Sequence, residues 1–305
     1  MKKRLHITTA LAMLIGMAHA QNKTWGEAGA FDNKGTIWSY NLGKGTGSAE
    51  EKFSSGESPK TSVSSTATPG FLAYPSSGFA AVTTGANAGG AVKIEGKDAA
   101  AKLVLEASNN ASANKFAVYD ISKASPVSSL FFNISFKSDN DPTNGAVVFG
   151  VGNARGNNIF KNTSSLTGAD ATGVFAGLRW EFSTNKAVFF SYRTLNNGAY
   201  GYKLINANSF TKTGEHQVEL YINNGATAQK YTKLGKAYDL APATLNIWVD
   251  GKLITTESGA GIPASGELAP EAPLNSFLFQ GYHSKGSVPN ALTLSLGNIQ
   301  MSAAK

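Results

Sequence analysis

The 305-residue chain contains no cysteine, which excludes a disulfide framework and a Cys-linked lipid anchor. A chain of this length builds a core without such staples. Charge is sparse, at 15% of residues, and no Lys/Arg cluster forms a phosphate-tracking patch, which argues against a nucleic-acid partner. Beyond the N-terminus no apolar run is long enough for a membrane-spanning helix, leaving contact at the membrane surface as the most the chain would make. Four histidines are scattered through the sequence. There is no Gly-x-Ser-x-Gly elbow, no metalloprotease helix motif and no phosphate-binding loop after a strand.

Residues 1–20 begin with Lys2, Lys3 and Arg4, continue through a short apolar stretch and end in Ala18-His19-Ala20. This is the three-part pattern of a signal peptide with small residues at its cleavage site. It predicts export to the periplasm, the cell surface or the medium, with residues 21–305 as a single mature domain. Without the leader, 24 basic residues face 20 acidic ones, a net charge of about +4, well short of what the whole-chain pI of 9.3 suggests.

What the chain has in quantity is turn residues, with 33 Gly and 10 Pro, set between short runs rich in β-branched and aromatic residues. Many such runs predict an all-β, two-sheet antiparallel jelly-roll sandwich. In Leu245–Ile254, alternating residues pass through Asp250-Gly251 and out again, the signal of a tight hairpin. Residues 42–70, rich in Gly, Ser and Thr and poor in large apolar groups, are expected to form a long loop.

Period two separates the strand faces. Val174, Ala176, Leu178, Trp180 and Phe182 fall on one side of their strand, with Phe175, Arg179 and Glu181 on the other. Val218, Leu220 and Ile222 oppose Gln217, Glu219 and Tyr221. Leu245, Ile247 and Val249 oppose Asn246, Trp248 and Asp250. On this pattern Trp180 belongs to the core. Trp248 lies on the outer row, where an exposed ring would stack on a sugar while Asn246 holds hydroxyls; a loop covering it is the competing arrangement. Arg179, Glu181, Tyr282 and His283 complete the candidate ligand-binding set. Asp139, Asp141 and Asn144 cluster in a short loop whose oxygens suit Ca²⁺, although Asx-Pro-Gly runs also turn without metal. No other cofactor is expected. Cleavage of a glycosidic bond usually needs two flanking carboxylates, and no strand face carries a compact Asp/Glu pair.

The runs His216–Ile222, Thr244–Ile254, Ser276–Tyr282 and Ala291–Met301 resemble the closing strands of concanavalin A-like lectin/glucanase domains. The resemblance extends over about residues 172–301. It implies a jelly roll in which one sheet carries glycan in many relatives. The Glu-x-Asp-x-(x)-Glu strand of the glucanases has no counterpart. Arg179-Trp180-Glu181-Phe182 is similar to an Arg-x-Glu-Leu strand of alginate-lyase-like relatives, whose set here would be Arg179, Glu181, Tyr282 and His283. The leading expectation is a non-catalytic glycan-binding domain of an exported bacterial protein. A polysaccharide-degrading enzyme on the same fold and a structural or adhesive surface domain are the alternatives.

Overall fold

The computed structural model describes residues 31, 35–40, 42, 50–68, 70–96, 100–138, 145–154, 164–168, 171–182, 188–205, 208–259, 261–265, 268–283 and 292–303. The leader and the Asp139, Asp141 and Asn144 loop lie outside them. Strands are numbered in chain order. The first sheet runs β17 (Lys252–Ile254), β16 (Thr244–Val249), β13 (Glu215–Asn223), β8 (Val127–Ser138), β20 (Leu292–Ala303), β6 (Lys102–Glu106), β5 (Ala91–Glu95) and β2 (Glu50–Ser54). In addition, β1 (Gly35–Tyr40) pairs with β20, and β18 (Ile262–Pro263) with β16. The second sheet runs β12 (Ala199–Leu204), β11 (Val188–Asn196), β10 (Val174–Phe182), β9 (Gly145–Gly152), β19 (Ser276–His283), β7 (Asn114–Tyr119), β4 (Phe79–Thr84) and β3 (Lys60–Ser65). A separate hairpin joins β14 (Gln229–Lys233) to β15 (Lys236–Leu240). Ladder after ladder is antiparallel, and no α-helix occurs among the described residues. This is a two-sheet β-sandwich of the jelly-roll kind.

The alternating apolar rows meet between the sheets. Phe132 on β8 contacts Phe149 on β9 and Phe279 on β19, with ring centroids 5.8 and 5.0 Å apart. Trp180 is buried there, stacked on Phe190 and met by the edge of Phe210. Tilted and edge-on ring pairs of this kind add to the burial of their area. Trp38 pins β1 by stacking on Tyr40 and donating its indole N–H to the Ser77 carbonyl at 3.1 Å. The expected inner rows of β13 and β16 are the core rows. On β10 a register shift between Val174 and Ala176 turns Phe175 into the core and Val174 out of it, reversing the assignment that strict alternation gave to these two. An extra residue in a ladder exchanges the faces of everything before it.

Residues 42–70 are not simply a loop, since they contribute β2 and β3. Each lies at the edge of its sheet. An edge strand is held by main-chain hydrogen bonds along one side only and tolerates a polar, half-exposed composition, so its side chains give little sign of it.

The Asp250-Gly251 hairpin is present, with both residues at positive φ (49° and 74°), as a type I′ turn requires. Asp250 also locks this hairpin to the neighbouring strand. Its carboxylate meets His216 Nδ1 at 2.7 Å and accepts from the Gln217 N–H at 2.9 Å, while His216 Nε2 accepts from the Thr211 N–H at 3.1 Å. Asp250→Ala strips one buried imidazole and one amide of their acceptor. A loss of about 2 kcal/mol is expected in denaturant unfolding, whereas Asp250→Asn, which keeps an acceptor and tolerates positive φ, loses less.

Candidate functional site

The outer face of the first sheet is closed, so of the two arrangements the sequence allowed for Trp248 the covered one is present. The β14–β15 hairpin folds over β13 and β16. Tyr231 stacks on Tyr221 with centroids 3.9 Å apart, and its hydroxyl accepts from Trp248 Nε1 at 2.9 Å and from Asn246 Nδ2 at 3.0 Å. Trp248 is 3% exposed. Trp248 and Asn246 do sit on the outer row, but the row is covered, so the exposed ring expected for sugar stacking is not found there. Beneath the same hairpin, Lys233 Nζ lies 2.7 Å from Glu219 Oε1 and the Tyr221 hydroxyl donates to Glu219 Oε2. A cation and an anion buried together satisfy each other.

The outer face of the second sheet is different. Cross-strand register places Phe189, Glu181, Ala146 and Tyr282 in one row over β11, β10, β9 and β19. The adjacent row reads Ser191, Arg179, Val148, Gln280, Lys115, Thr83 and Thr61 across seven strands. At the usual strand separation this polar row is about 29 Å long. Arg179 Nη2 donates to Glu181 Oε2 at 2.9 Å and also hydrogen-bonds the Tyr282 side chain. The Arg179 guanidinium lies 4.4 Å over the Tyr202 ring, and its Nε is buried with no partner among the described residues. Three of the four residues assigned to the lyase-like set therefore converge, even though Tyr282 is far from the other two in sequence.

His283 does not join them. Neighbouring residues on a strand face opposite ways, and His283 is buried on the inward side, its Nδ1 held by the Ser108 carbonyl and its Nε2 close to Gly145. Its expected place beside Tyr282 is corrected accordingly. The electrostatics of the row follow from burial. Burial pushes the Tyr282 phenol up from its ordinary value, with Glu181 adding to the shift and Arg179 opposing it. At neutral pH the phenol keeps its proton and serves as a donor. Burial lowers Lys115 from 10.5 to about 8.

Part of this face is occupied by the chain itself. Three side chains hold three successive carbonyls of the 164–168 segment: Gln280 Nε2 on Ser164 at 2.5 Å, the Tyr202 hydroxyl on Ser165 at 2.7 Å and Arg193 Nε on Leu166 at 2.6 Å. Leu166, at φ 58°, is fully buried over Gly150, where a Cβ would come within 2.6 Å of its Cδ1. Phe189 stays exposed directly across from Glu181. It supplies the aromatic surface expected of Trp248, and the alternation in Val188-Phe189-Phe190-Ser191 carried the signal. Lys115 and Gln280 were also absent from the sequence-derived set; each borders an apolar run, Phe116–Val118 and Phe277–Phe279. The described residues of the two rows include one carboxylate, Glu181, so they do not supply the pair that glycoside cleavage uses. No cluster of three metal-ligating side chains occurs among the described residues.

No known protein family matches the chain, and no curated protein does. Among solved structures, it is similar to the Emp47p carbohydrate recognition domain at 11% identity and a TM-score of 0.43, covering 92% of this chain and 100% of that one. It is similar to the alginate lyase Aly36B at 14% identity and a TM-score of 0.37, covering 66% and 80%. With the binding domain of botulinum neurotoxin DC, in complex with rat synaptotagmin II, the identity is 13% and the TM-score 0.41, over 87% of this chain. The chain spans about half the length of that neurotoxin chain, at 47%.

Proposed function

We propose that the chain is an exported, non-catalytic glycan-binding domain, and that its ligand lies across the outer face of the second sheet. The observation that supports this most is the exposed Phe189 ring beside the Arg179–Glu181–Tyr282 cluster, continued by a polar row across seven strands. A sugar ring has one apolar face and a rim of hydroxyls. Phe189 offers a stacking surface, Glu181 accepts from hydroxyls, and Arg179, Tyr282 and Lys115 donate. Val148 and Gln280, midway along the row, are fully buried, so a ligand meets this face beside Phe189 and Glu181 and again at Lys115, Thr83 and Thr61. Two cationic side chains on the row place polysaccharides with carboxylates first among candidates.

The test is retention of the purified chain on a panel of immobilised neutral and acidic polysaccharides, with Arg179→Ala and Trp248→Phe beside the parent. Retention on an acidic member is expected, with a tenfold to hundredfold loss for Arg179→Ala, the range for one charged hydrogen bond. Trp248→Phe is expected to bind as the parent does. No retention of a folded chain on any member would support the structural or adhesive alternative. Release of new chain ends from the retained polymer would support the enzyme.

A further inference from the structure

An open pocket of about 610 Å³ lies where the start of β1 and the end of β20 meet the turns at 76–77 and 122–126. Its volume is that of a small-molecule site. Ser76, Ser77, Ser122 and Ser125 line it together with Ile37 and Lys123. Three of the serine hydroxyls already accept a main-chain N–H: Ser76 from Ser39 at 3.4 Å, Ser77 from Ser122 at 3.2 Å and Ser125 from Val127 at 3.3 Å. A hydroxyl has one proton to donate besides its lone pairs, so each of these keeps an O–H for something else. Lys123 has no partner among the described residues and sits at φ 60°. A non-glycine residue in left-handed conformation costs backbone energy and recurs at functional sites. Asp120, three residues earlier, is also left-handed, at φ 57°.

The wall thus sets serine hydroxyls and one cation beside apolar surface from Ile37, Ala124, Pro126 and Ala303. We infer that this pocket binds a hydroxylated ring carrying one anionic group, at a site separate from the glycan row. The ammonium of Lys123 takes the carboxylate or phosphate, the serine hydroxyls donate to ring oxygens, and Ile37 covers the apolar face of the ring. A sugar acid and a sugar phosphate share this chemistry.

The experiment is calorimetric titration of the purified chain with glucuronate, glucose 6-phosphate and glucose at pH 7. Saturable binding of at least one anion is expected, with glucose at least tenfold weaker; which anion binds tells the carboxylate source from the phosphate source. Lys123→Gln is expected to weaken the anion tenfold or more. Gly35 also lines the pocket, and a Cβ placed on it meets nothing within 4 Å. Gly35→Phe adds a ring at the pocket's edge without a clash at Cβ and is expected to weaken binding while retention on polysaccharide persists. Equal binding of glucose and the anions, failure of both anions to saturate, or undiminished binding by both variants would each overturn the assignment. Should Gly35→Phe fail to fold, the Lys123→Gln titration decides alone.

Discussion

Replacing Lys233 with Ala is expected to destabilise the fold by about 3–5 kcal/mol, the range for breaking one side of a buried ion pair. Lys233 and Glu219 are 1% and 3% exposed, in contact beneath the β14–β15 hairpin. Removing the ammonium leaves the Glu219 carboxylate buried with the Tyr221 hydroxyl as its remaining described donor. For a chain of this size the thermal midpoint falls on the order of 10 °C. The paired variant Lys233→Met with Glu219→Gln is expected to recover most of the loss, because no net charge is then buried and the introduced amide oxygen still accepts from the Tyr221 hydroxyl. A double-variant cycle by denaturant unfolding measures the coupling. Additive effects would mean that Lys233 and Glu219 do not stabilise each other, leaving the hairpin to the contacts of Tyr231 with Tyr221, Asn246 and Trp248.

The second large effect is on ligand binding and comes from Lys115. Burial lowers this lysine from 10.5 to about 8. Below pH 8 it is charged and faces the row; a polyuronate laid across it supplies the counter-charge and restores the ordinary affinity for the proton. Affinity is therefore expected to be level below pH 8 and to fall above it, by about tenfold at pH 9. Lys115→Met is expected to bind weakly at pH 7 and to lose this pH dependence. Stability runs the other way. Between about pH 8 and 10.5 the unfolded chain holds a proton that the folded chain has released, so this group's contribution to stability rises with pH. Weaker binding at pH 9 alongside undiminished stability distinguishes titration of Lys115 from unfolding.

Much of the fold was legible because period two is a local property. The inner rows of β13 and β16 needed only their own sequences, as did the Asp250-Gly251 turn. Trp248 was placed on the outer row with exposure and cover both open, and the choice rested on a hairpin fixed by Tyr231 meeting Tyr221, Asn246 and Trp248. Nothing within Thr244–Val249 announces that contact. The β14–β15 sequence alternates Lys and Thr with its tyrosines and resembles a solvated loop until the face that it covers is known. Of the site, Arg179 and Glu181 were legible as a pair on one face, whereas their meeting with Tyr282 depends on β9 lying between β10 and β19. His283 is a different case: strand alternation alone already set it opposite Tyr282. Phe189 was likewise within reach, as the outward member of an adjacent aromatic pair on a strand that otherwise alternates.

Which outer face meets the ligand is tested most directly by footprinting of aromatic side chains with hydroxyl radicals, in the presence and absence of the retained polysaccharide. Protection is predicted at Phe189 and Tyr202, on the open face of the second sheet, with Tyr238 on the β14–β15 hairpin unchanged. Protection of Tyr238 with Phe189 left fully reactive would contradict the proposal and move the ligand to the opposite side of the sandwich.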